Sequence, residues 1–381
     1  MLYLDDCLNT LKSLEKNSVD LIYLDPPFFS QKIQKLSKAD RYYEFNDIWK
    51  SREEYLNYIK KRLIVMRDVL KDSGSIFLHC DDSASWYLKI VMDEVFGEEN
   101  FQSEIIWTYK RWSNSQKGLL PCHQTIFFYS KTKNFKFNTL FCEYSPTTNI
   151  DQIQQQRERI DGKAVYKKDS DGNVIQASEK RGVPLSDVWD IPFLNPKAKE
   201  RVGYPTQKPI ELLDRIIKIS TDENDIVLDP FMGSGTTLVS AKLLNRRYIG
   251  IDKSKDAYEI AQKRLETPFK TKSHLLANGI DSYITKNDEI YDVLKLIDCN
   301  IVQRNKGIDA FLKKHYRNTP VAVKVQKKNE TLNEAIDLLY KASLKKGCIK
   351  SVLITEESAK NIPENMIILN PINIQIEHYL N

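Results

Sequence analysis

Along residues 1–266, short apolar runs alternate with longer segments in which apolar residues recur at helical spacing. The runs that predict strands cover 2–4, 19–25, 75–81, 104–111, 124–131, 226–229 and 248–252. Helices are predicted over 52–70, 84–96, 209–220 and 236–244, with a brief helix ending before Asn17 and another ending near Leu265. This alternation predicts an α/β fold whose main sheet is doubly wound and mostly parallel.

Two long polar segments interrupt the alternation. Residues 30–49 are basic and aromatic without clear periodicity, which predicts a functional loop beside the ligand crevice or, alternatively, a solvated surface excursion. Residues 132–199 are polar and lysine-rich with a hairpin-like stretch at 165–174, which predicts an insertion rather than more sheet. The expected domains are 1–266, a linker at 267–282, and a small C-terminal α/β domain at 283–381.

The run that opens at Val19 ends in Asp25-Pro26-Pro27-Phe28. Because neither proline can donate a backbone N–H, the strand must stop at Asp25, at the crevice edge of the sheet. This stretch then offers hydrogen-bond acceptors beside a flat apolar face. The acceptors are the Asp25 carboxylate and the carbonyls of both prolines, and the face is the Phe28 ring. This combination suits an amino group on a flat ring, such as a nucleobase. The simpler interpretation is a Pro-Pro turn with Phe28 in the core.

A second predicted strand ends at Asp229 and runs into the glycine turn that contains Gly233 and Gly235. Asp252 ends the next strand about twenty residues on, where its carboxylate can accept from ribose hydroxyls. The turn lacks a third glycine and has no lysine before Thr236, so it suits a nucleoside whose other end is not phosphate. S-adenosylmethionine is such a cofactor, and the alternative is a glycine turn without a ligand.

Composition narrows the class of protein without deciding its function. The chain has 381 residues, 41% hydrophobic and 29% charged, and its net charge of +5 permits nucleic-acid binding without requiring it. No apolar run reaches the roughly 18 residues of a membrane helix and no signal-peptide layout is present, so we expect a cytoplasmic protein without membrane contact. The six cysteines are scattered without a Cys-x-x-Cys pair, which indicates neither zinc nor disulfides.

Two motifs carry a resemblance to a known family. Asp25-Pro26-Pro27-Phe28 and Phe231-Met232-Gly233-Ser234-Gly235 resemble the signature motifs of the S-adenosylmethionine-dependent DNA amino-methyltransferases, which modify adenine N6 or cytosine N4. The catalytic motif precedes the cofactor motif, with an irregular insertion between them. This order is similar to that of the circularly permuted β group of restriction–modification methyltransferases. Residues 203–209, Gly-Tyr-Pro-Thr-Gln-Lys-Pro, resemble a further cofactor motif of that group, and the resemblance covers residues 1–266.

This resemblance implies a Rossmann-like methyltransferase sheet, S-adenosylmethionine as cofactor, and a target base flipped out of duplex DNA. Asp25 and the Pro26 carbonyl would accept hydrogen bonds from the target amino group, and Pro27 completes the motif. Phe28 would stack on the base, where family members more often have Tyr. The insertion at 132–199 would be the target-recognition region. The implied cofactor-binding residues are Phe231, Gly233, Gly235, Thr236 and Asp252, with Asp229 at the strand end, Thr206 and Lys208 near the methionine end, and Asp5 and Cys7 near the adenine.

The main functional prediction is a site-specific adenine-N6 DNA methyltransferase, because Asp rather than Ser at the head of the Pro-Pro motif favours adenine within the family that the chain resembles. Cytosine N4 is the close alternative, and a catalytically idle DNA-binding or specificity subunit is another. Duplex DNA is the expected partner, while a cognate restriction endonuclease and a homodimer are left open. Cys122 follows a proline, as the nucleophile of cytosine-C5 methyltransferases does, and His79 ends a strand. Both are interpreted as structural residues.

The C-terminal domain carries a second, shorter resemblance. The stretches around Asp309 and Lys324 look like the central strands of a restriction-endonuclease-like domain, whose site places Asp and then Glu-x-Lys around a divalent metal. Ala322 stands where the Glu belongs. We therefore expect no metal site and no DNA cleavage, and a structural or DNA-contacting role instead. The same substitution disfavours a combined methyltransferase and nuclease.

Overall fold

The computed structural model describes residues 1–38, 41–110, 117–142, 155–175, 182–194, 198–271, 286–303, 305–358 and 362–374, and within 34–46 only the backbone. The chain forms two compact units, Met1–Thr271 and Lys272–Asn381. Most of the predicted linker at 267–282 lies outside the described residues. In the ranges described, none of the helices combines the length and apolar character needed to cross a membrane.

The first unit alternates strands and helices in nearly the order that the apolar pattern predicts. Its strands are β1 (Leu2–Leu4), β2 (Val19–Leu24), β3 (Lys32–Lys38), β4 (Arg41–Asp47), β5 (Leu70–Cys80), β6 (Phe101–Thr108), β7 (His123–Ser130), β8 (Phe141–Cys142), β9 (Arg157–Ile160), β10 (Lys163–Tyr166), β11 (Val183–Pro184), β12 (Val188–Asp190), β13 (Ile226–Asp229) and β14 (Arg247–Asp252). Its helices are α1 (Cys7–Ser13), α2 (Arg52–Val69), α3 (Ser85–Phe96), α4 (Ile210–Ser220), α5 (Thr236–Leu243) and α6 (Lys255–Glu266).

Eight of these strands form one sheet in the order β1-β14-β13-β2-β5-β7-β6-β12. β7 runs antiparallel to both of its neighbours, and the other neighbouring pairs are parallel. β13 pairs with β2 so that Leu228 lies beside Ile22, which places the carboxyl ends of these two strands side by side. The predicted α/β fold with a mostly parallel, Rossmann-like sheet is confirmed, and Asp25 and Asp229 lie at the same edge of it.

Helices cover both faces of the sheet, because successive side chains of a strand point to opposite sides. In β2, Ile22 and Leu24 pack in a core with α1, α2 and α3, whereas Leu21 and Tyr23 pack in a second core with α4. All four side chains are buried. Burial on both faces explains why β2 is an almost continuous apolar run, and the doubly wound arrangement is confirmed.

Local signals set the ends of several helices. The Ser51 hydroxyl caps α2 by accepting a backbone N–H at 3.1 Å, and Gly97, with φ of 91°, ends α3. Gly74 would be a plausible stop for α2 in the sequence, but α2 ends at Val69 and Gly74 lies inside β5. A Cβ on Gly74 would lie 3.0 Å from the Asp20 carbonyl oxygen, so glycine permits the close approach of β5 to β2.

The polar segments contain more strand than the sequence pattern predicts. In place of the loop expected at 30–49, β3 and β4 form an antiparallel hairpin. Within 132–199, β12 pairs in parallel with β6 and becomes an edge strand of the main sheet. The expectation that this insertion adds no sheet is therefore wrong, and the buried ring of Trp189 supplies the apolar contact that holds β12 there. The hairpin expected at 165–174 is present as a single β-bridge beside the β9–β10 hairpin.

The second unit is a smaller α/β structure with cores of its own. Its elements are α7 (Asp288–Leu294), β15 (Cys299–Ile301), β16 (Ala310–Leu312), β17 (Val321–Val325), α8 (Leu332–Lys345), β18 (Lys350–Ile354) and β19 (Met366–Leu369). The five strands form one sheet in chain order, antiparallel from β15 to β17 and parallel from β17 to β19. α7 and α8 pack in two separate apolar clusters with this sheet.

Candidate functional site

The carboxyl ends of β2, β13 and β14 border a cavity of about 500 Å³. Most of the site residues predicted from the sequence line it, although they come from five separate stretches of the chain. These residues are Cys7, Asp25, Pro26, Pro27, Phe28, Thr206, Lys208, Asp229, Phe231, Gly233, Thr236 and Asp252. Asp5 and Gly235 do not line the cavity. The pairing of β13 with β2 thus brings the two motif regions together.

Asp25 directly follows β2 and has a different environment at each carboxylate oxygen. Oδ2 is paired with the Lys208 ammonium. Oδ1 is buried without a hydrogen-bond partner among the described residues, and it lies 3.9 Å from His79 Nδ1. Burial raises the Asp25 pKa above its usual value, while the charge and hydrogen bond of Lys208 act in the opposite direction. A desolvated acceptor of this kind is suited to a donor supplied by a ligand.

His79, on β5, is fixed by two hydrogen bonds. Its Nε2 lies 2.9 Å from Gln124 Oε1, and its Nδ1 lies 2.7 Å from the Tyr23 hydroxyl. Because an amide oxygen only accepts, we assign the ring proton to Nε2, so that Nδ1 accepts from Tyr23. Burial lowers the His79 pKa well below its usual value and the nearby Lys208 charge adds to this effect, so the ring is neutral. Its lone pair is already used, which agrees with the structural role predicted for His79.

The chain after Phe28 is held by an aspartate that the sequence did not single out. The Phe28 ring lies 5.8 Å from the His79 ring, and the backbone then turns through Phe29, whose φ is 63°. Asp47, buried at the end of β4, accepts from the N–H of Phe29 at 3.0 Å and from that of Ser30 at 2.7 Å. The β3–β4 hairpin therefore fixes the segment that follows the Pro-Pro motif. In the sequence, Asp47 is one polar residue among many.

The two glycines of the turn after β13 have different tasks. Gly233, with φ of 45°, donates its N–H to Asp252 Oδ2 at 2.9 Å, while Asp252 Oδ1 accepts from the Ser254 N–H at 2.8 Å. Gly235, with φ of 74°, lies against α6, where an added Cβ would lie 2.7 Å from the Cβ of Ala261. Gly233 thus shapes the cavity and orients Asp252, whereas Gly235 permits close packing of two helices behind it.

Acidic side chains dominate the charge of the cavity. Burial raises the pKa of Asp229 to about 7, although its carboxylate accepts the Phe231 N–H at 3.0 Å. Burial also raises the pKa of Asp25 and that of Asp252. Clustered carboxylates of this kind are stabilised by a ligand that carries positive charge, as the sulfonium of S-adenosylmethionine does. Asp252 beside the glycine turn suits a ribose, so the residues present fit the predicted cofactor.

Asp6 and Tyr58 line the cavity although the sequence did not single them out. Asp6 is the N-cap of α1, and its two oxygens accept from Arg62 Nη2 at 2.8 and 2.7 Å. Asp5, which the family resemblance suggested, instead accepts from the N–H of Asp6 and lies outside the lining. The Arg62 guanidinium also lies 3.4 Å from the centre of the Tyr58 ring. The i, i+4 spacing of Tyr58 and Arg62 on a predicted helix is the signal that could have found this cluster.

Comparisons with known proteins bear on the same region. A family model, N6_N4_Mtase, described as DNA methylase, matches residues 19–263. Type II methyltransferase M.HpaI of Haemophilus parainfluenzae is 32% identical over 278 residues, covering 73% of this chain and 75% of that protein. Type II methyltransferase M.BglII of Bacillus subtilis is 31% identical over 271 residues, covering 69% and 68%. The solved PvuII DNA methyltransferase (cytosine-N4-specific) is similar with a TM-score of 0.47 and 18% identity, covering 69% of this chain and 85% of that chain.

Proposed function

The chain belongs to the DNA methylase family of restriction–modification amino-methyltransferases, and we propose that it methylates N6 of adenine at a specific DNA site. S-adenosylmethionine is the cofactor of this family and supplies an electrophilic methyl group when bound. The target base must leave the duplex to reach a cavity at the edge of the sheet. The insertion at 132–199 is proposed as the region that recognises the target sequence.

The observation that carries the proposal is the buried Oδ1 of Asp25, which has no hydrogen-bond partner in the part of the chain that the structure describes. An amino nitrogen on an aromatic ring is a weak nucleophile because its lone pair is delocalised into the ring. Acceptors on its N–H bonds favour a pyramidal nitrogen and return the lone pair to it. We assign this role to Asp25 Oδ1 and the Pro26 carbonyl, so that positioning and electrostatics supply most of the rate.

The remaining cavity residues are proposed to hold the base and the cofactor. Phe28 stacks on the base, a contact typically worth about 1–3 kcal/mol, and keeps the stacking face of the Tyr that is more frequent at this position in the family. Asp252 accepts from the ribose hydroxyls, because the Gly233 N–H orients its carboxylate and leaves lone pairs for a ligand. Cys7 lies near the adenine of the cofactor. Asp5 and Gly235 are left out of this proposal because neither lines the cavity.

The choice of adenine rests on Asp25 at the head of the Pro-Pro motif, and cytosine N4 is the alternative because the same acceptors serve either amino group. An idle DNA-binding subunit is disfavoured by the complete acceptor set and the glycine turn. Three further points stay predictions. They are the circularly permuted motif order, a cognate restriction endonuclease as partner, and assembly into a homodimer.

The direct test is to incubate the purified protein with labelled S-adenosylmethionine and unmethylated genomic DNA, and to identify the modified nucleoside by mass spectrometry. N6-methyladenine is expected. N4-methylcytosine would preserve the mechanism and overturn the choice of base. Cofactor binding without any label in DNA would overturn the proposed function.

The residue assignment is tested in the same assay with Asp25→Ala. We expect the single-turnover rate to fall by about 100-fold or more while S-adenosylmethionine affinity, measured by calorimetry, changes little. Asp82→Ala, which alters an exposed aspartate after β5, is the matched control and should keep the wild-type rate. Methylation by Asp25→Ala at the wild-type rate would show that the carboxylate is not the acceptor.

A further inference from the structure

Lys208 contacts the carboxylate of Asp25. The family resemblance predicts this lysine near the methionine end of the cofactor, whereas its Nζ pairs with Asp25 Oδ2. Its side chain is 5% exposed, and the same Nζ lies 3.5 Å from the Thr206 carbonyl oxygen and 5.1 Å from the centre of the Phe28 ring. A buried ammonium with these neighbours has a defined position, since leaving its partner would strand two charges in a low-dielectric site.

Within the described ranges, the other titratable groups that face Asp25 do not supply a counter-charge. They are His79 and Cys80 on β5, Tyr23 on β2, Asp229 at the end of β13, and Tyr204 in the segment before α4. His79 is neutral and its Nδ1 accepts from the Tyr23 hydroxyl, while Asp229 is a second acid. Burial favours a protonated Asp25, and the charge and hydrogen bond of Lys208 act against it.

We propose that Lys208 is a positioning residue that keeps Asp25 as an oriented carboxylate, with Oδ2 held and Oδ1 directed to the substrate amino group. This inference rests on the proposed function and assigns Lys208 a task different from that of the cofactor-binding residues. Lys208 acts through Asp25, whereas the neighbourhood of Asp252 and the glycine turn holds the cofactor. A protonated or rotated Asp25 would present a hydroxyl donor where the reaction needs an acceptor.

The test compares Lys208→Met, Lys208→Arg and wild type in single-turnover methylation at saturating DNA and cofactor, from about pH 5 to about pH 10. Lys71→Met is the matched control. Lys71 Nζ contacts the buried Asp20 at 2.8 and 2.9 Å at the other end of β2, so its loss removes a lysine–aspartate pair away from the cavity. Cofactor affinity is measured separately by calorimetry, and folding by thermal denaturation.

The expected result for Lys208→Met is an acidic midpoint of the pH–rate profile that moves upward by about 1–3 pH units, so that raising the pH restores much of the rate. Lys208→Arg keeps a cation at Asp25 and should retain the wild-type midpoint. Lys71→Met should lower thermal stability without moving the midpoint. Cofactor affinity should change little in all three variants.

Two outcomes would overturn the inference. The first is a large loss of cofactor affinity in Lys208→Met with an unchanged midpoint, which would mean that Lys208 binds the methionine carboxylate. The second is an equal shift of the midpoint in Lys71→Met, which would mean that the shift reflects general destabilisation. Failure of the proposed function itself would appear in the wild-type protein, as cofactor binding without any label in DNA, whereas failure of this inference leaves wild-type methylation intact.

Discussion

At the scale of single residues, the surroundings of each carboxylate decide its protonation. Asp25 and Asp229 lie at the ends of neighbouring parallel strands and both are largely removed from water. Asp25 has an ammonium on one oxygen, whereas Asp229 is bonded by Thr237 and the Phe231 N–H and has a pKa of about 7. Two acids that look alike in the sequence therefore have different surroundings, since burial raises both pKa values and only Asp25 has an ammonium that acts against this effect.

Asp229→Asn should change the pH dependence of stability. The folded pKa of about 7 lies above the ordinary value of 3.8, so the folded state keeps a proton that the unfolded chain loses. The stability that this proton contributes is fully present below the unfolded pKa and is lost as pH rises through about 7. Measured by urea denaturation, the stability of Asp229→Asn relative to wild type should therefore increase as pH rises across this window. A relative stability that is constant with pH would contradict the raised pKa.

At the scale of elements, the β9–β10 hairpin is an exposed basic ribbon within the proposed recognition region. Every residue of both strands is exposed. The register pairs Arg157 with Tyr166 and Arg159 with Ala164, which places both arginines on one face, and Glu158 lies on the other. The Arg157 guanidinium lies 5.2 Å from the centre of the Tyr166 ring. A two-stranded ribbon fits the DNA major groove, and arginine is suited to both guanine and phosphate.

Removing both arginines, as Arg157→Ala/Arg159→Ala, should weaken DNA binding by about 1–3 kcal/mol and reduce its dependence on salt. Binding is measured by fluorescence anisotropy with a duplex that contains the methylation site, at several salt concentrations. Glu158→Ala, on the opposite face of the same strand, is the control and should bind at least as tightly as wild type. Equal affinity of the double variant and wild type at every salt concentration would exclude this face from the DNA interface.

At the scale of the whole molecule, the second unit contains the two stretches that resemble a nuclease, at β16 and β17, and the buried charges described there are already paired. Asp309 is paired with Lys286, and its Oδ2 accepts the Val325 N–H at 2.8 Å. Lys324 Nζ lies 3.0 Å from Glu330 Oε2. The Lys286 ammonium occupies the side of the Asp309 carboxylate to which a metal ion would have to bind. We therefore propose a structural or DNA-contacting role for this unit.

The full chain should not cleave plasmid DNA when Mg²⁺ or Mn²⁺ is added, and neither ion should raise the melting temperature of the protein. The reason is that the Asp309 carboxylate is already paired with a lysine and a backbone N–H, and Ala322 offers no second carboxylate. Cleavage is followed by gel electrophoresis, with Asp309→Asn as a control for contaminating nuclease. Cleavage by wild type that disappears in Asp309→Asn would establish an active metal site.

Features set by short stretches of chain could be predicted from the sequence. The apolar run of β2 and the proline pair after Asp25 determine where that strand ends, because a proline cannot continue a ladder. The glycine turn after Asp229 determines a strand-to-helix connection. The helical spacing of 52–70 predicted α2 to within a residue. These signals depend on backbone chemistry and on the periods of helix and strand, which act within a few residues and are therefore visible in sequence.

Features set by contacts between distant segments were decided only by the tertiary structure. The pairing of Lys208 with Asp25 joins residues 183 positions apart, and it exists because β13 and α4 pack against β2. Asp6 rather than Asp5 lines the cavity because its carboxylate binds the guanidinium of Arg62. Likewise, β12 joins the sheet because the core offers a site for the Trp189 ring. A local pattern determines which face of an element is apolar, but the partner that buries this face depends on how the whole chain packs.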